Sequence, residues 1–285
     1  MEKSDVVVSR ARFLREMQRI KQSSQNIVYL DETWVNQNYT VAKCWTDTTS
    51  PQANGVRQPT GKGSRLIILH AGTKDGFVDN AELIFQAKND GDYHNQMNAQ
   101  VFEEWFRNQL LPNISANSVI VMDNAPYHSV KLEKMPTLAW RKADLQQWLI
   151  KKGIQPRENS LKAELHELTK KVDIDTSYVI DTIAAKAGHR VVRLPPYHCQ
   201  YNPIELIWAQ VKTYIGKANT FKMANLKILV REAMNQITPQ NWMQAVRHAE
   251  QLQEEDTELD IATDHFVDSF LINISETSDD DEDSD

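Results

Sequence analysis

Short apolar runs alternate with longer amphipathic stretches along this chain, and the two patterns predict different elements. In residues 10–22, Phe13, Leu14, Met17 and Ile20 recur at helical spacing among charges, which predicts one amphipathic helix. Asn26 to Leu30 is an apolar run that predicts a strand ending at Asp31-Glu32-Thr33-Trp34. Thr40 to Trp45 predicts a second strand and residues 47–64 a Gly- and Pro-rich loop. Arg65 to His70 predicts a third strand, which turns at 71–76 into Phe77-Val78, and Ala81 to Phe85 continues the same sheet. From His94 to Leu111, Met97, Val101, Phe102, Trp105, Phe106 and Leu110 mark a long helix that Pro112 stops.

Ser118 to Met122 then runs straight into Asp123, where Asn124 and Pro126 break it, as in a fully buried strand closed by an acid. Residues 131–189 change texture. They are polar, with Leu138, Leu145, Trp148 and Leu149, then Leu161, Leu165, Leu168 and Val172, and a third piece over 176–187, and they read as a helical insertion. His189 to Leu194 resumes the strand pattern. Beyond Pro195-Pro196, Asn202 suits an N-cap, Pro203 the first helical position and Glu205 the third. Ile204, Ile207, Trp208, Val211 and Ile215 form the core stripe of that helix, while Glu205 and Lys212 share another face. The expected plan is a helical segment at 1–25, an α/β domain over 26–249, and an acidic, disordered tail at 250–285.

Composition changes this picture in one respect. At 41% hydrophobic and 25% charged residues the chain has ordinary globular proportions. No apolar stretch approaches the roughly 18 residues of a membrane span, and Met1 to Asp5 lacks the apolar core of a signal peptide. The two cysteines, Cys44 and Cys199, stand far apart without a CxxC partner, which argues against a disulfide framework or a zinc site and for a reducing, intracellular compartment. The net charge of −7, however, hides a split: residues 250–285 carry 15 acids and no Lys or Arg, leaving +8 on residues 1–249. A basic body suits a polyanionic partner, and the acid run suits a solvated tail.

Asp31, Asp123 and Glu205 each fall where a predicted element begins or ends. If the two strands are neighbours and the helix packs across them, the acids converge. Oxygen-only carboxylate sites suit Mg2+ or Mn2+, and two such ions about 4 Å apart stabilise the attacking and leaving oxygens of an in-line phosphoryl displacement. Plainer readings stand beside this one. Asp123 makes an Asx-turn, Glu205 closes a capping box, and Trp34 and Trp208 are core aromatics. Asn124 either turns the chain or orients Asp123, and His128 either approaches the site or sits on a surface loop. Lys212, Lys217, Lys222 and Arg193 line a phosphate track or a solvated face. Arg141, Lys142, Lys151, Lys152 and Arg157 of the insertion contact DNA or a second subunit. His198 and Cys199 are poor ligands for a hard cation.

The stretch Asp123-Asn124-Ala125-Pro126-Tyr127-His128 resembles the catalytic core of Tc/mariner-type DDE transposases. So does Leu194-Pro195-Pro196-Tyr197, followed by Asn202-Pro203-Ile204-Glu205 and Trp208, and Asp31-Glu32-Thr33-Trp34 looks like the end of the family's first catalytic strand. The resemblance implies an RNase H-like α/β fold, a central mixed β-sheet flanked by helices. It implies that Asp31, Asp123 and Glu205 hold two Mg2+ ions, with Mn2+ as a substitute, and that water and then a DNA 3′-hydroxyl attack phosphodiester bonds. DNA is the implied partner and the nucleus the implied location, with a homodimer open as the assembly and neither a membrane nor a small-molecule cofactor involved. Three departures stand out. The second and third acids are 82 positions apart, a longer interval than the family's, and His198-Cys199-Gln200 replaces the usual Ser-Pro-Asp. The family's paired helix-turn-helix domains are not seen in the 25 or so residues before the first strand. The runner-up expectation is therefore a domesticated, catalytically silent DNA- or chromatin-binding protein.

Overall fold

The apolar runs become the strands of one sheet in the computed structural model, which describes residues 3–40, 59–87 and 97–277, with side chains to residue 264. Its strands are β1 (Ile27–Asn36), β2 (Arg65–Thr73), β3 (Gly76–Phe77), β4 (Leu83–Ala87), β5 (Val119–Met122) and β6 (Arg190–Arg193). β2 pairs antiparallel with β1, β3 and β4, whereas β1, β5 and β6 run parallel to one another. β2 and β5 are buried on both faces, which is why they read as unbroken apolar runs.

On one face, α2 (Ala99–Trp105) and α5 (Val179–Lys186) pack Phe102, Trp105, Ile180 and Ile183 against Val28, Leu30, Ile120 and Met122. The other face carries α1 (Ser4–Gln22), α6 (Ile204–Ala218), α7 (Met223–Asn235) and α8 (Pro239–Thr277). This is the RNase H-like mixed sheet expected. Trp242 of α8 lies so close over Gly72 that a Cβ there would sit 2.2 Å from the indole carbons; only glycine fits under that ring.

Several boundaries move. The first helix starts at Ser4, where buried Val6 extends the stripe begun by Phe13. The helix expected from His94 begins instead at Ala99, because Asn98 Oδ1 accepts the Val101 N–H (3.0 Å), and it continues through a π-turn at Phe106–Leu110. Residues 94–96 and the strand expected over Thr40–Trp45, apart from Thr40 itself, lie outside the described residues.

The insertion is shorter than its texture suggested. Its helices α3 (Lys142–Lys151) and α4 (Lys162–Thr169) share a small core of Leu145, Leu149 and Leu165. The chain leaves and rejoins the sheet domain at one neck. There Leu132 N–H donates to the Ser177 carbonyl (2.9 Å), Val179 N–H donates to the Val130 carbonyl (2.8 Å), and Lys131 bridges Tyr178. α5, read as the insertion's third piece, instead belongs to the main core. Its Ile180, Ile183 and Ala184 stripe is the crossover that parallel strands β5 and β6 require.

The acid-rich segment also differs from expectation, since α8 runs through Thr277. Its first acids answer the cations of α1. Arg10 donates to both oxygens of Asp260 (2.6 and 3.2 Å), and Lys21 lies 3.8 and 3.6 Å from Glu250 and Glu254. The Tyr201 hydroxyl donates to Asp256. Opposite charge on a facing helix explains why these acids are helical rather than tail-like; residues 278–285 lie outside the described residues.

Candidate active site

The site arises where β1 outruns its neighbour. The last β1–β5 pair is Tyr29 with Val121, and β5 ends at Met122, while β1 continues beside β2 to Asn36. Backbone groups on the freed edge of β1 need new partners. The Asn202 side-chain amide donates to the Leu30 carbonyl (3.0 Å), which seats the start of α6 against β1 immediately before Asp31. Asn202 is therefore not the N-cap expected; it is buried in this long-range bond, and Pro203 occupies the cap position. Glu205 falls at the second helical position and makes no capping-box bond, so its carboxylate is left for the cleft.

Asp31 thus lies within a strand rather than at its end, beside the turn that follows β5 and the first turn of α6. Its carboxyl is held well above the usual carboxylate range, first by burial and then by the charges of Glu32, Glu205 and Asp123. Burial also raises Glu205, with Asp123 adding to the shift and Lys212 opposing it. Burial lowers Lys212, against the pull of Glu205 and Asp31. The three acids are near enough for their charges to act on one another.

Asp123 does make the Asx-turn, its Oδ1 accepting the Ala125 N–H (3.0 Å). The same oxygen accepts from His128 Nδ1–H (2.6 Å), while His128 Nε2–H donates to Glu32 Oε1 (2.9 Å). His128 is fully buried, its ring packed 4.1 Å from that of Phe102, so it is not a surface loop residue. Burial alone would lower its pKa, but the Glu32 charge and the two carboxylate hydrogen bonds outweigh that and lift it to about 9. With both ring nitrogens donating, His128 is an imidazolium between two acids. Asp123 is correspondingly held down: burial pushes it up, and the His128 bond and charge overcome that.

The neighbouring residues separate into anchors and cleft groups. The Asn124 amide donates to the Leu194 carbonyl (2.8 Å), tying the β5 turn to the end of β6 rather than touching the Asp123 carboxylate. Arg193 is no phosphate-track residue. It donates to Asp181 (2.7 Å), to the His128 carbonyl (3.0 Å) and to Ser129 (3.1 Å), and stacks 4.3 Å from the Tyr178 ring. Trp208 is a core residue as expected, whereas Trp34 is 38% exposed beside the cleft, with Arg65 and Lys212 cations 5.6 and 5.5 Å from its ring centroid. His198 is buried; its Nδ1–H donates to the Pro196 carbonyl and its Nε2 accepts from Arg10, away from any ligand role.

The sequence profile of a family described as DDE superfamily endonuclease matches residues 26–227. The chain belongs to that family. Among solved structures, the mariner Mos1 paired end complex with Mg matches with 13% identity and a TM-score of 0.57, over 90% of this chain and 62% of that one. A Mos1 transposase paired-end complex with left transposon end matches with 12% identity and a TM-score of 0.55, over 89% and 62%. A pre-cleavage Mos1 transpososome matches with 12% identity and a TM-score of 0.53, over 90% and 63%. At such identities the likeness is one of fold, and this chain spans less than two thirds of the length of those proteins. A comparison with curated proteins gives no match.

For a DDE endonuclease the question is whether these acids fit a divalent ion. Among the described residues, no group of three or more His, Cys, Asp or Glu side chains is placed so that it could hold a metal ion. Mg2+ does not require such a group, because it keeps several waters and takes one or two carboxylates. The donor set consists of hard oxygens, and Asp31 and Glu205 face an excess of negative charge relieved only in part by Lys212. That chemistry fits.

His70, which sequence reasoning passed over, stands opposite Asp31 in the β1–β2 ladder, a position only strand register reveals. It is buried, accepts the Ala71 N–H at Nδ1 (2.9 Å), and burial holds its pKa down at about 4. A histidine buried neutral binds fewer protons than its unfolded counterpart between pH 4 and 6.5. Its contribution is complete above about pH 6.5 and is lost as pH falls towards 4, by about 3 kcal/mol. Urea unfolding at pH 7 and 4.5 should therefore show a larger loss for wild type than for His70→Asn; equal losses would remove the assignment.

Proposed function

We propose that the chain is a DDE transposase-type nuclease that cuts DNA phosphodiester bonds and transfers the resulting strands. The observation that supports this reading is that Asp31, Asp123 and Glu205, from three separated segments, shift one another's ionisation through their charges, in a chain whose body is basic. Mos1 complexes described with Mg, with Mn and with a transposon end support a divalent-ion, DNA-directed reading. In that reading Asp31, Asp123 and Glu205 hold two Mg2+ ions. When bound, these ions supply charge stabilisation to the attacking and leaving oxygens.

The chain's own groups divide the remaining work. Asp123 has one oxygen fixed by His128 and the Ala125 N–H, leaving the other to serve the ion. Glu32 holds His128 from behind and is a positioning residue. Lys212, close to Glu205 and Asp31, meets substrate phosphate in the cleft. Nuclear localisation is the proposal that goes with a DNA substrate. Incubating supercoiled plasmid with the full chain in 5–10 mM Mg2+ or Mn2+ tests the proposal, concentrations of about that order being needed by weakly held ions. Nicked and linear products that vanish with EDTA are expected. Background-level products with either metal would leave the silent DNA-binding reading in place.

A further inference from the structure

The insertion carries a groove that the three acids leave unexplained. Leu145 and Leu149 of α3 turn inward to the small core, the other side of the helix presents Asp144, Gln147 and Lys151, and Arg141 stands at its N-cap. With Trp140 and Trp148 these residues line an open groove of about 650 Å³. Both indoles are half-buried and pack against the Leu145–Leu149–Leu165 core, so they are held in place rather than swinging in solvent. Lys152 stands 5.7 Å from the Trp148 ring and is tied by a 2.7 Å bond to Glu133. Arg141 and Lys151 are exposed, against one acid, Asp144.

An apolar groove alone would suit many partners. Fixed aromatic faces interleaved with exposed cations match one chemistry best: bases that stack and phosphates that pair with the cations. The groove is the size of pockets that take small organic molecules, room for roughly one or two nucleotides and not for a duplex. We propose that it binds single-stranded DNA, and that the strand comes from the substrate cut at the acidic cleft, a source that rests on the function proposed above. The route between the two sites is short in chain terms. The neck at Lys131 and Tyr178 lies under Arg193, whose guanidinium also holds the loop from Asp123 to Ser129.

The test uses the full chain and a fluorescein-labelled oligothymidylate, compared with a duplex of equal length, read by anisotropy across a salt series. Arg141→Glu with Lys151→Glu, both surface changes, should weaken single-strand binding by at least about 10-fold and lower the salt slope by about 1.4. Trp148→Ala should weaken it by about 5- to 100-fold and Trp148→Phe by much less, as base stacking requires. Duplex binding should change little in all of these variants. The Asp123→Asn chain should bind the oligonucleotide as wild type does, so failure of cleavage and failure of the groove are read separately. Wild-type affinity in the Arg141→Glu/Lys151→Glu chain, or no single-strand binding by wild type, overturns the proposal. So does a shift of that variant from dimer to monomer in sedimentation with DNA affinity unchanged, which would assign the groove to a second copy of the chain.

Discussion

Asp123→Asn is expected to lower divalent-ion-dependent plasmid nicking by about 1,000-fold or more, because several kcal/mol of stabilisation of the reacting oxygens is lost and each 1.4 kcal/mol is tenfold in rate. The fold should survive. An amide oxygen can still accept the Ala125 N–H, and the side chain is 47% exposed. What the amide cannot do is carry the charge that His128 faces and that a divalent ion would need. Nicking rates from the two proteins, normalised by circular dichroism and by oligonucleotide affinity, check this directly. A variant that cuts at the wild-type rate would remove Asp123 from the machinery, and with it the shared-site reading of Asp31 and Glu205.

Glu32→Ala should be the most damaging single change to stability. Its carboxylate side chain is 3% exposed, and its partner imidazole is 1% exposed. Removing Glu32 leaves the buried imidazolium with Asp123 as its remaining acid and one ring N–H without an acceptor, at a cost of up to about 3–5 kcal/mol. In a domain of this size that corresponds to a fall in Tm of roughly 6–20 °C. Glu32→Gln, which keeps an acceptor oxygen, should fall between the two. Thermal unfolding of the three proteins decides the matter: an unchanged Tm in Glu32→Ala would mean that the Glu32–His128 pair does not stabilise the fold. His128 itself gains protons on folding, since its pKa is raised to about 9, so its contribution is complete below about pH 6.5 and is lost as pH rises towards 9.

Local pattern located most of the scaffold. β2, β5 and α6 were legible because burial on both faces, or along one stripe, writes itself into the spacing of apolar residues. The acids were singled out by their place at the ends of apolar runs and by the motifs around them, though Asp31 proves to lie within β1. What escaped was set by partners distant in sequence. Leu30 looked like the end of a strand because Asp31 and Glu32 are charged, yet β1 continues to Asn36, with Glu32 buried against a histidine 96 positions away. Asn202 has the residue type and setting of an N-cap, but the unpaired Leu30 carbonyl is the stronger claim on its amide. Arg193 reads as one more cation in a basic chain until Asp181, Ser129 and the His128 carbonyl surround it. In the same way α5 shares the insertion's polar texture and reveals its allegiance only by what lies beneath it.

The neck at Lys131 and Tyr178 has a consequence for how this interval changes over generations. A segment whose two ends meet as a bridged pair of residues can lengthen, shrink or be exchanged while the strands on either side feel almost nothing, because closing a longer loop costs little extra. The distance in sequence between Asp123 and Glu205 is thus uncoupled from their distance in space, and the interval is a socket into which different modules can be fitted without retuning the acids.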